Sequence, residues 1–456
     1  MLADPTTAEL TSVRTLDIDD LHGSVADPLL ESMNFLNEVT ARHPDAISFA
    51  PGRPYEGMFD PACITEYLDA YIGHLRRTGH TEQQVRTVLF QYGRTKGQIH
   101  DLIAETLAND EGIDISPEAV VVTVGAQEGM VLALRALFAD QRDVLLVSSP
   151  CYIGMTGAAR LLDIDVVPVP EGAGGPDPDA VAAVAREVVA SGRRPRALYV
   201  VPDFANPSGA SMPVEARLRL LAAAAAEGLL IIEDNPYGFF TRESEPRPTL
   251  KALDRDGSVV YLGSFAKTCF PGARLGYVLA DQRVLARDGT TGLLADELAK
   301  IKSMITVNTP SLSQAIIGGA LVLCQCRLRA ANSSIIEFYR TNLNAVRLEL
   351  DRHFPADRRA RLGIDWNRPE GGFFTVLRVP FVADEAALER SAREFGVLWT
   401  PMDAFFLDGT GKHQLRLSSS YLPPERISEG IGQLAAFIEA ESHLTGKDHP
   451  SGNQSL

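Results

Sequence analysis

Lys267 follows a strongly apolar stretch of the chain, in a setting that suits a reactive amine. The stretch Val259 to Leu262 is a predicted strand, and Pro271-Gly272 turns the chain before it reaches Arg274. Burial lowers the pKa of an ammonium group, and the neutral amine is the form that attacks an aldehyde to give a Schiff base. A single lysine beyond a strand is more often a solvated surface charge, so its chemistry depends on the groups around it.

Polar residues follow three other predicted strands. Asp234 and Tyr237 come just after the strand Leu229 to Glu233. Asn206 lies in a proline turn after a second strand, and Gly125-Ala126-Gln127 follows a third at the start of a predicted helix. In open α/β sheets ligands bind at the carboxyl edge of the parallel strands, and N–H groups at a helix start attract anions. We therefore expect an acid, a phenol, an amide and an anion site to meet the amine at one edge of a sheet.

The elements that must position these groups alternate between short β-rich runs and longer helical patterns. This layout is typical of a mostly parallel sheet with helices on both faces, and the continuous apolar runs indicate strands that are covered on both sides. The predicted strands are Val120 to Val124, Val144 to Val147, Asp165 to Val169, Ala197 to Val201, Leu229 to Glu233, Val259 to Leu262 and Tyr277 to Ala280. After about Ser333, a helical pattern and strands at Phe373 to Val379 and Gln414 to Ser418 predict a smaller α+β domain.

Composition and charge exclude several classes of function. The chain has 456 residues, of which 45% are hydrophobic and 22% charged, as in ordinary globular proteins. No segment is apolar over the length that a membrane helix needs, so we expect no membrane partner. The net charge of −16 repels a phosphate backbone, so we expect no nucleic-acid partner.

The five cysteines are scattered along the chain and predict no disulfide scaffold. Cys324-Gln325-Cys326 lacks a second pair of ligands at zinc spacing, so no metal site is predicted. The odd number of cysteines fits a reducing compartment, and the acidic N-terminus has no signal-peptide core. The sequence therefore predicts a cytoplasmic protein.

The groups expected at the sheet edge are those that pyridoxal 5′-phosphate needs: an amine for its aldehyde, an acid for its ring nitrogen, hydroxyl and amide groups for its ring oxygen, and an anion site for its phosphate. Four segments carry the match, in the order Asn206-Pro207-x-Gly209, Asp234-x-x-Tyr237, Ser264-x-x-Lys267 and Pro271-Gly272-x-Arg274-x-Gly276-Tyr277. On these segments the chain resembles the class I and II aminotransferases, of the fold-type-I pyridoxal-phosphate enzymes, over residues 45 to 440. The resemblance implies an α/β fold with a mostly parallel seven-stranded sheet flanked by helices and a smaller α+β domain.

The resemblance also implies the chemistry. Lys267 would bear the cofactor as a Schiff base and then move the substrate's proton. Asp234 would pair with the ring nitrogen and keep it protonated, while Tyr237 and Asn206 would hydrogen-bond the ring oxygen. The implied activity is transfer of an amino group between an α-amino acid and a 2-oxo acid.

Other residues are assigned to the cofactor's phosphate and ring by the same resemblance. Ser264, Arg274 and the amides of Gly125-Ala126-Gln127 would hold the phosphate. Tyr152 would stack on the ring, unless it is a core tyrosine. Tyr92 would reach the phosphate of a neighbouring subunit, unless it is only a loop aromatic, and this role implies a homodimer with shared active sites.

Two arginines are candidates for binding the substrate. Arg416 lies inside the apolar strand Gln414 to Ser418, where an unpaired guanidinium is costly. The resemblance implies that it binds the substrate's α-carboxylate with help from Asn206, and the alternative is a structural ion pair. Arg53 would face the substrate's side chain.

The predicted organisation has five parts. Residues 1–45 form an N-terminal arm with a helix that begins at Asp27-Pro28, and residues 46–90 belong to the small domain and a substrate loop. Residues 91–332 form the large cofactor-binding domain, 333–441 the C-terminal part of the small domain, and 442–456 a disordered tail.

Other functions also fit parts of the sequence. Ser264-Phe265-Ala266-Lys267 matches the Ser-x-x-Lys pattern of serine acyl-enzymes, but the accompanying Lys-Thr-Gly and Ser-Asp-Asn patterns are not found. Some bacterial regulators fuse this fold to a DNA-binding module, but only about 45 residues precede the fold here, and they lack basic clustering.

Within the family, the same residues serve transamination and other reactions. The alternative activity is a natural-product enzyme that oxidises, cyclises or substitutes an amino acid at its β or γ position. The segments Asp27-Pro28 to Glu38 and Ser48 to Tyr55 are similar to transaminases that make arylglycines for peptide antibiotics. Aromatic and 2-aminoadipate-type substrates remain alternatives to an arylglycine.

Overall fold

A computed structural model describes residues 14–30, 38, 40–241 and 246–447 of the chain. Its strands are β1 Ile47–Ser48, β2 Val120–Thr123, β3 Asp143–Ser149, β4 Asp165–Gly172, β5 Gly175–Pro176, β6 Arg194–Val200, β7 Leu230–Asp234, β8 Val259–Ser264, β9 Gly276–Leu279, β10 Arg283–Leu285, β11 Thr291–Leu293, β12 Asp365–Trp366, β13 Phe374–Arg378, β14 Val397–Leu398, β15 Thr400–Pro401 and β16 Gln414–Ser418. Its helices are α1 Cys63–Arg77, α2 Glu82–Phe90, α3 His100–Glu111, α4 Gly125–Leu137, α5 Ile153–Leu161, α6 Pro178–Ala190, α7 Val214–Ala226, α8 Leu250–Leu253, α9 Leu294–Ile305, α10 Ser311–Leu323, α11 Leu328–Ala331, α12 Ser333–His353, α13 Ala356–Leu362, α14 Glu385–Phe395 and α15 Pro424–Lys447.

The central sheet has the order β2-β9-β8-β7-β6-β3-β4-β5. The strands from β8 through β4 are parallel, while β9 runs antiparallel to both of its neighbours. All seven predicted strands are present, and the predicted mostly parallel α/β fold is confirmed. The sheet has eight strands rather than seven because β4 extends to Gly172 and turns back to pair with the two-residue β5. That hairpin lies in the glycine-rich stretch between β4 and α6.

The middle parts of the central strands are apolar because both faces of the sheet are buried there. Along β3, Val144 and Leu146 belong to the core cluster that contains α6 and α7 residues, while Leu145 and Val147 belong to the cluster that contains α4 and α5 residues. Successive side chains of a strand point to opposite faces, so a doubly covered strand needs an apolar residue at every position. Each fully buried side chain of this size contributes about 1.5–3 kcal/mol.

Helices α1 and α2, which were predicted from the sequence to belong to the small domain, pack against the central sheet, whereas β1 of the same 46–90 segment pairs with β14. Tyr71 and Leu75 of α1 share a core cluster with Val120 of β2. Helices α1 and α10 approach closely, since a Cβ atom on Gly319 would lie 1.7 Å from the carbonyl oxygen of Tyr67. The amphipathic pattern of α1 indicates a buried face, but it does not say which layer covers that face.

A second sheet, β12-β13-β16-β15, is antiparallel and is packed with α14 and α15 in its own core cluster. Strand β1 pairs in parallel with β14 in this C-terminal layer. The other predicted domain boundaries stay predictions. The helix predicted to begin at Asp27-Pro28 falls largely on residues 31–37 and 39, which lie outside the described residues.

Helix α15 continues to Lys447, so the predicted disordered tail at 442–456 begins too early. Arg390 of α14 forms an ion pair with Glu441, and the Ser442 hydroxyl donates a hydrogen bond to the carbonyl oxygen of Ile438 at 2.7 Å. These contacts stabilise the last turns of the helix, which continues past residue 442. Residues 448–456 lie outside the described part of the chain.

Among the described residues, no helix combines the length and the apolar composition that crossing a membrane requires.

Candidate active site

A cavity of about 910 Å³ lies between the carboxyl ends of the central strands and the C-terminal layer. It brings together all the residues proposed from the sequence except Tyr92. The predicted residues that line it are Gly125, Ala126, Gln127, Tyr152, Asn206, Asp234, Tyr237, Ser264, Lys267, Arg274, Arg416 and Arg53. Most of them follow a strand, as the sequence predicted, and Arg416 comes from β16 of the second sheet.

Lys267 is one of the residues that line this cavity. Its Nζ atom donates a hydrogen bond to the carbonyl oxygen of Gly52 at 2.7 Å. Burial and, to a smaller extent, the positive charges of Arg274 and Arg416 lower the pKa of Lys267 to about 8, and Asp234 acts against them. Near neutral pH, the neutral nucleophilic form is therefore much more accessible here than in a lysine exposed to water.

Asp234 is the last residue of β7, and one of its two carboxylate oxygens accepts a hydrogen bond from a described residue while the other does not. The Tyr199 hydroxyl donates to Oδ2 at 2.7 Å, whereas the buried Oδ1 has no hydrogen-bond partner within the described residues. Burial raises the pKa of Asp234 to about 6, against the opposing effects of Tyr199 and Lys267. A buried carboxylate oxygen without a partner is costly, so this atom suits a donor that a ligand brings. Tyr199 was not predicted, although a phenol in a fully buried strand requires a polar partner.

Tyr237 and Asn206 lie between Asp234 and the second sheet. Burial raises the pKa of Tyr237, so its hydroxyl stays protonated, and it shares a hydrogen bond with the Asn206 side chain. The ring of Tyr237 packs edge-on against Phe373 and Phe374, with centroids 5.3 and 5.4 Å away. The hydroxyl is thereby fixed on the cavity side.

Arg416 is a buried cation without a carboxylate partner among the described residues. Its guanidinium donates to Asn206 Oδ1, to the Ala50 carbonyl oxygen at 2.9 Å and to the Thr400 hydroxyl at 3.1 Å. It lies 4.5 Å from the ring centre of Phe374, and Nε has no hydrogen-bond partner in the described part of the chain. Burial lowers its pKa to about 10. An anionic ligand would supply the missing charge.

The start of α4 forms the anion site at the opposite end. A Cβ atom at Gly125 would lie 2.7 Å from Nη2 of Arg274, and one at Gly276 would lie 2.7 Å from the amide nitrogen of Ala126. Because these two glycines have no side chains, the backbone amides and the guanidinium can lie close together. Gly125 has φ +70°, a conformation that glycine adopts readily. Helix N-termini with free N–H groups favour phosphate-sized anions.

A buried ion pair behind α4 supports this site and was not predicted from the sequence. Glu128 accepts from the amide of Val124 at 2.7 Å and from Nζ of Lys302 at 2.7 Å. The Lys302 side chain is fully buried. The pair fixes the first turn of α4 to α9, and its two members are too far apart in sequence to show their pairing.

Of the remaining predicted residues, Tyr152 and Arg53 line the cavity and Tyr92 does not. Tyr152 caps α5, and burial raises its pKa to about 12. Arg53 lines the cavity, where its guanidinium donates to the Tyr421 hydroxyl at 2.8 Å and lies 4.4 Å from that ring's centre. Tyr92 is 83% exposed and does not line the cavity of its own chain, so its predicted contact with a partner subunit stays a prediction.

Asp234 should make the stability of the cofactor-free protein depend on pH. Because the pKa of Asp234 is raised from 3.8 to about 6, the folded chain retains a proton in this range that the unfolded chain has lost. The stability that protonated Asp234 contributes is fully present below the unfolded pKa and is lost as pH rises through the folded pKa. The total loss in the free energy of unfolding is about 3 kcal/mol. In Asp234→Asn this dependence is absent, so the variant should become the more stable protein as pH rises.

Urea unfolding of the wild type and Asp234→Asn at several pH values between 4 and 8 measures the effect. The difference in free energy of unfolding should grow in favour of the variant up to about pH 6 and then level off. A difference that is constant over the whole range would contradict the raised pKa.

Comparisons with known proteins agree with this geometry. The family model Aminotransferase class I and II matches residues 67–434. An (S)-3,5-dihydroxyphenylglycine transaminase of Amycolatopsis orientalis is 52% identical over 430 residues, which cover 93% of this chain and 95% of the relative. An aromatic-amino-acid aminotransferase 1 of Thermococcus litoralis is 30% identical and covers 87% of this chain and 89% of its own length. The crystal structure of a multiple substrate aminotransferase from Thermococcus profundus aligns with a TM-score of 0.77 at 27% identity, over 94% of this chain and 100% of that chain.

Proposed function

The chain belongs to the class I and II aminotransferases, and on that premise we propose that its substrates are an arylglycine, whose aromatic ring is bonded directly to the α-carbon, and the corresponding aryl-glyoxylate as amino acceptor. The enzyme moves an amino group between an amino acid and a 2-oxo acid and uses pyridoxal 5′-phosphate. The family, activity and cofactor predicted from the sequence are thus confirmed. The choice of donor is supported by the 52% identical relative, which is a dihydroxyphenylglycine transaminase.

The residues of the cavity fit the cofactor. The free Oδ1 of Asp234 can accept a hydrogen bond from a protonated ring nitrogen, and the crowded backbone at Gly125 and Gly276, beside Arg274, suits a phosphate dianion. When bound, the cofactor supplies an aldehyde that condenses with amino groups and a ring that withdraws electrons from the α-carbon.

We assign the proton transfer to Lys267. Its Nζ atom has a pKa of about 8 and would take the proton from the substrate's α-carbon and deliver it again on the cofactor side. Asp234 would keep the ring nitrogen protonated, because its buried carboxylate gains a hydrogen-bonded cation in place of an empty position. Tyr237 and Asn206 would hold the ring oxygen, and Tyr152 would lie against the ring face.

The observation that carries the substrate proposal is a buried cation with apolar groups beside it in the cavity. Arg416 offers that cation to an α-carboxylate, and Asn206 fixes its orientation. Leu29, Ile153 and Phe405 also line the cavity, and the Phe405 ring centre lies 5.3 Å from the guanidinium carbon of Arg416. A side chain that is apolar and begins at the α-carbon fits this arrangement better than a second carboxylate does.

A panel of amino acids tests the proposed donor. Each one is mixed with the purified holoenzyme, and conversion of the bound cofactor to its amine form is followed by absorbance. Arylglycines such as 2-phenylglycine and 3,5-dihydroxyphenylglycine should convert it with a higher kcat/KM than phenylalanine or 2-aminoadipate. A higher kcat/KM for 2-aminoadipate would reject the arylglycine proposal and would point to Arg53 as a second carboxylate site.

We further propose a homodimer that works in the cytoplasm. Exposed apolar residues cluster where α2 ends near the start of α10, including Phe90, Tyr92 and Val307, and the Ser311 hydroxyl joins these segments by donating to the Gln91 carbonyl oxygen at 3.4 Å. A patch of this kind favours contact with another protein surface. All five cysteines are free thiols, as expected in a reducing compartment. A monomeric mass in light scattering would reject the dimer.

A further inference from the structure

One face of helix α5 forms a wall of the cavity, and three of its lining residues carry no side chain larger than a methyl group. Gly154, Gly157, Ala158 and Leu161 all line the cavity, at the spacing that places residues on one helix face. Tyr152, which caps this helix, lies at the cofactor end of the same wall. The wall therefore runs from the proposed ring position towards the mouth of the cavity.

The two glycines of this face differ in what surrounds them. A Cβ atom at Gly154 would lie 2.3 Å from the Tyr152 ring and 2.6 Å from Oε1 of Gln127, so a side chain is excluded there by close packing. A Cβ atom at Gly157 meets nothing within 4 Å. Packing therefore does not require a glycine at 157, and its missing side chain leaves open space in the cavity.

The N-terminal segment lines the same cavity. Leu29 and Leu30 line the cavity, and Leu29 packs in a cluster with Ile153 and Phe405. An ion pair of Asp27 with Arg160 at 3.7 Å and a contact of His22 Nε2 with Asp163 Oδ2 at 3.5 Å join the segment to the end of α5. The residues of this segment and of the α5 face that line the cavity are thus apolar.

We propose that the space over Gly157 receives the aromatic ring of the substrate, so that Gly157 sets the largest side chain that the enzyme accepts. This inference rests on the proposed aminotransferase function and names the residue that selects its donor. A ring attached directly to the α-carbon is rigid and wide close to the reacting carbon. It needs room beside the cofactor that a leucine at position 157 would occupy.

The variant Gly157→Leu tests the proposal. Position 157 lies within the helix, where leucine is well tolerated, so the substitution acts mainly by filling the cavity. The ratio of kcat/KM for 2-phenylglycine to kcat/KM for alanine should fall by about 100-fold, since pockets discriminate by about 10- to 200-fold for small changes in volume. The smaller variant Gly157→Ala should lower the same ratio by a few-fold.

Competitive inhibition measures how tightly the cavity binds an aromatic ring without any catalytic step. Mandelate carries the aromatic ring and carboxylate of an arylglycine but no amino group, and lactate is its small counterpart. Mandelate should lose competitive inhibition in Gly157→Leu much more than lactate does. Gly73→Leu is the matched control, because Gly73 lies in α1 outside the cavity and its Cβ would meet only the end of Arg77, at 3.2 Å.

The results distinguish a failure of the proposed function from a failure of the proposed role of Gly157. If the wild type transaminates no amino acid, the proposed function fails. If it transaminates 2-phenylglycine but neither variant at position 157 changes the substrate ratio or the inhibition ratio, the function stands and the role of Gly157 is refuted. An equal change of the ratios in Gly73→Leu would also refute it.

Discussion

Lys267→Ala should abolish amino transfer while the protein remains folded. We expect kcat to fall by about 10⁴-fold or more, because in the proposed mechanism the amine would both anchor the cofactor and move the proton, and proton transfer by a positioned group alone contributes up to about 10⁴-fold. The lysine is held by a hydrogen bond to a single carbonyl oxygen and is desolvated, so its removal should not lower the thermal midpoint of the cofactor-free protein.

The measurement is single-turnover conversion of the bound cofactor by the preferred donor, together with thermal unfolding. Lys300→Ala is the matched control, since Lys300 is an exposed α9 residue that forms an ion pair with Glu297, and its loss should leave kcat unchanged. Amino transfer by Lys267→Ala at a rate near that of the wild type would overturn the assignment of the reactive amine.

Arg416→Ala should weaken every substrate that carries an α-carboxylate. Removing one member of a buried charge pair costs about 2–5 kcal/mol, which corresponds to a fall in kcat/KM of about 30- to 5,000-fold. The loss should appear chiefly as a higher KM. Arg416→Lys should recover only part of it, because an ammonium group cannot donate two parallel hydrogen bonds in the geometry of a guanidinium.

Steady-state kinetics with the donor and with its amide separate this effect from damage to the fold. The amide lacks the carboxylate, so its low reactivity should change little in the variant. Arg393→Ala in α14 is a control for loss of an arginine, because Arg393 is exposed and pairs with its neighbour Glu394. An unchanged KM for the amino acid in Arg416→Ala would show that another group binds the carboxylate.

The central sheet and the position of the candidate site residues at its edge could be predicted because their signals are local. Strands buried on both faces need an unbroken apolar run, and all seven such runs are strands of the sheet. Lys267, Asp234 and Asn206 follow these runs, so the topology alone brings them to one edge. Arg416 was recognisable because a guanidinium inside an apolar strand requires an anion.

Other features depend on contacts that the sequence does not display. The acceptor for Lys267 is the backbone carbonyl of Gly52, and any residue carries such a group. The hydroxyl that meets Asp234 belongs to Tyr199, in a neighbouring strand whose register was not known. Helix α1 was placed in the wrong layer because its partner, α10, lies more than 230 residues further along the chain.

The segment that follows β1 holds the amine and the guanidinium of the site at once. The Ala50 carbonyl accepts from Arg416 at 2.9 Å, and the Gly52 carbonyl accepts from Lys267 at 2.7 Å. Strand β1 is in turn paired with β14 of the C-terminal layer. If the C-terminal layer moved relative to the central sheet, this segment would move with it and would shift the acceptors of both cations. The affinity of Arg416 for a carboxylate and the reactivity of the Lys267 amine would therefore change together.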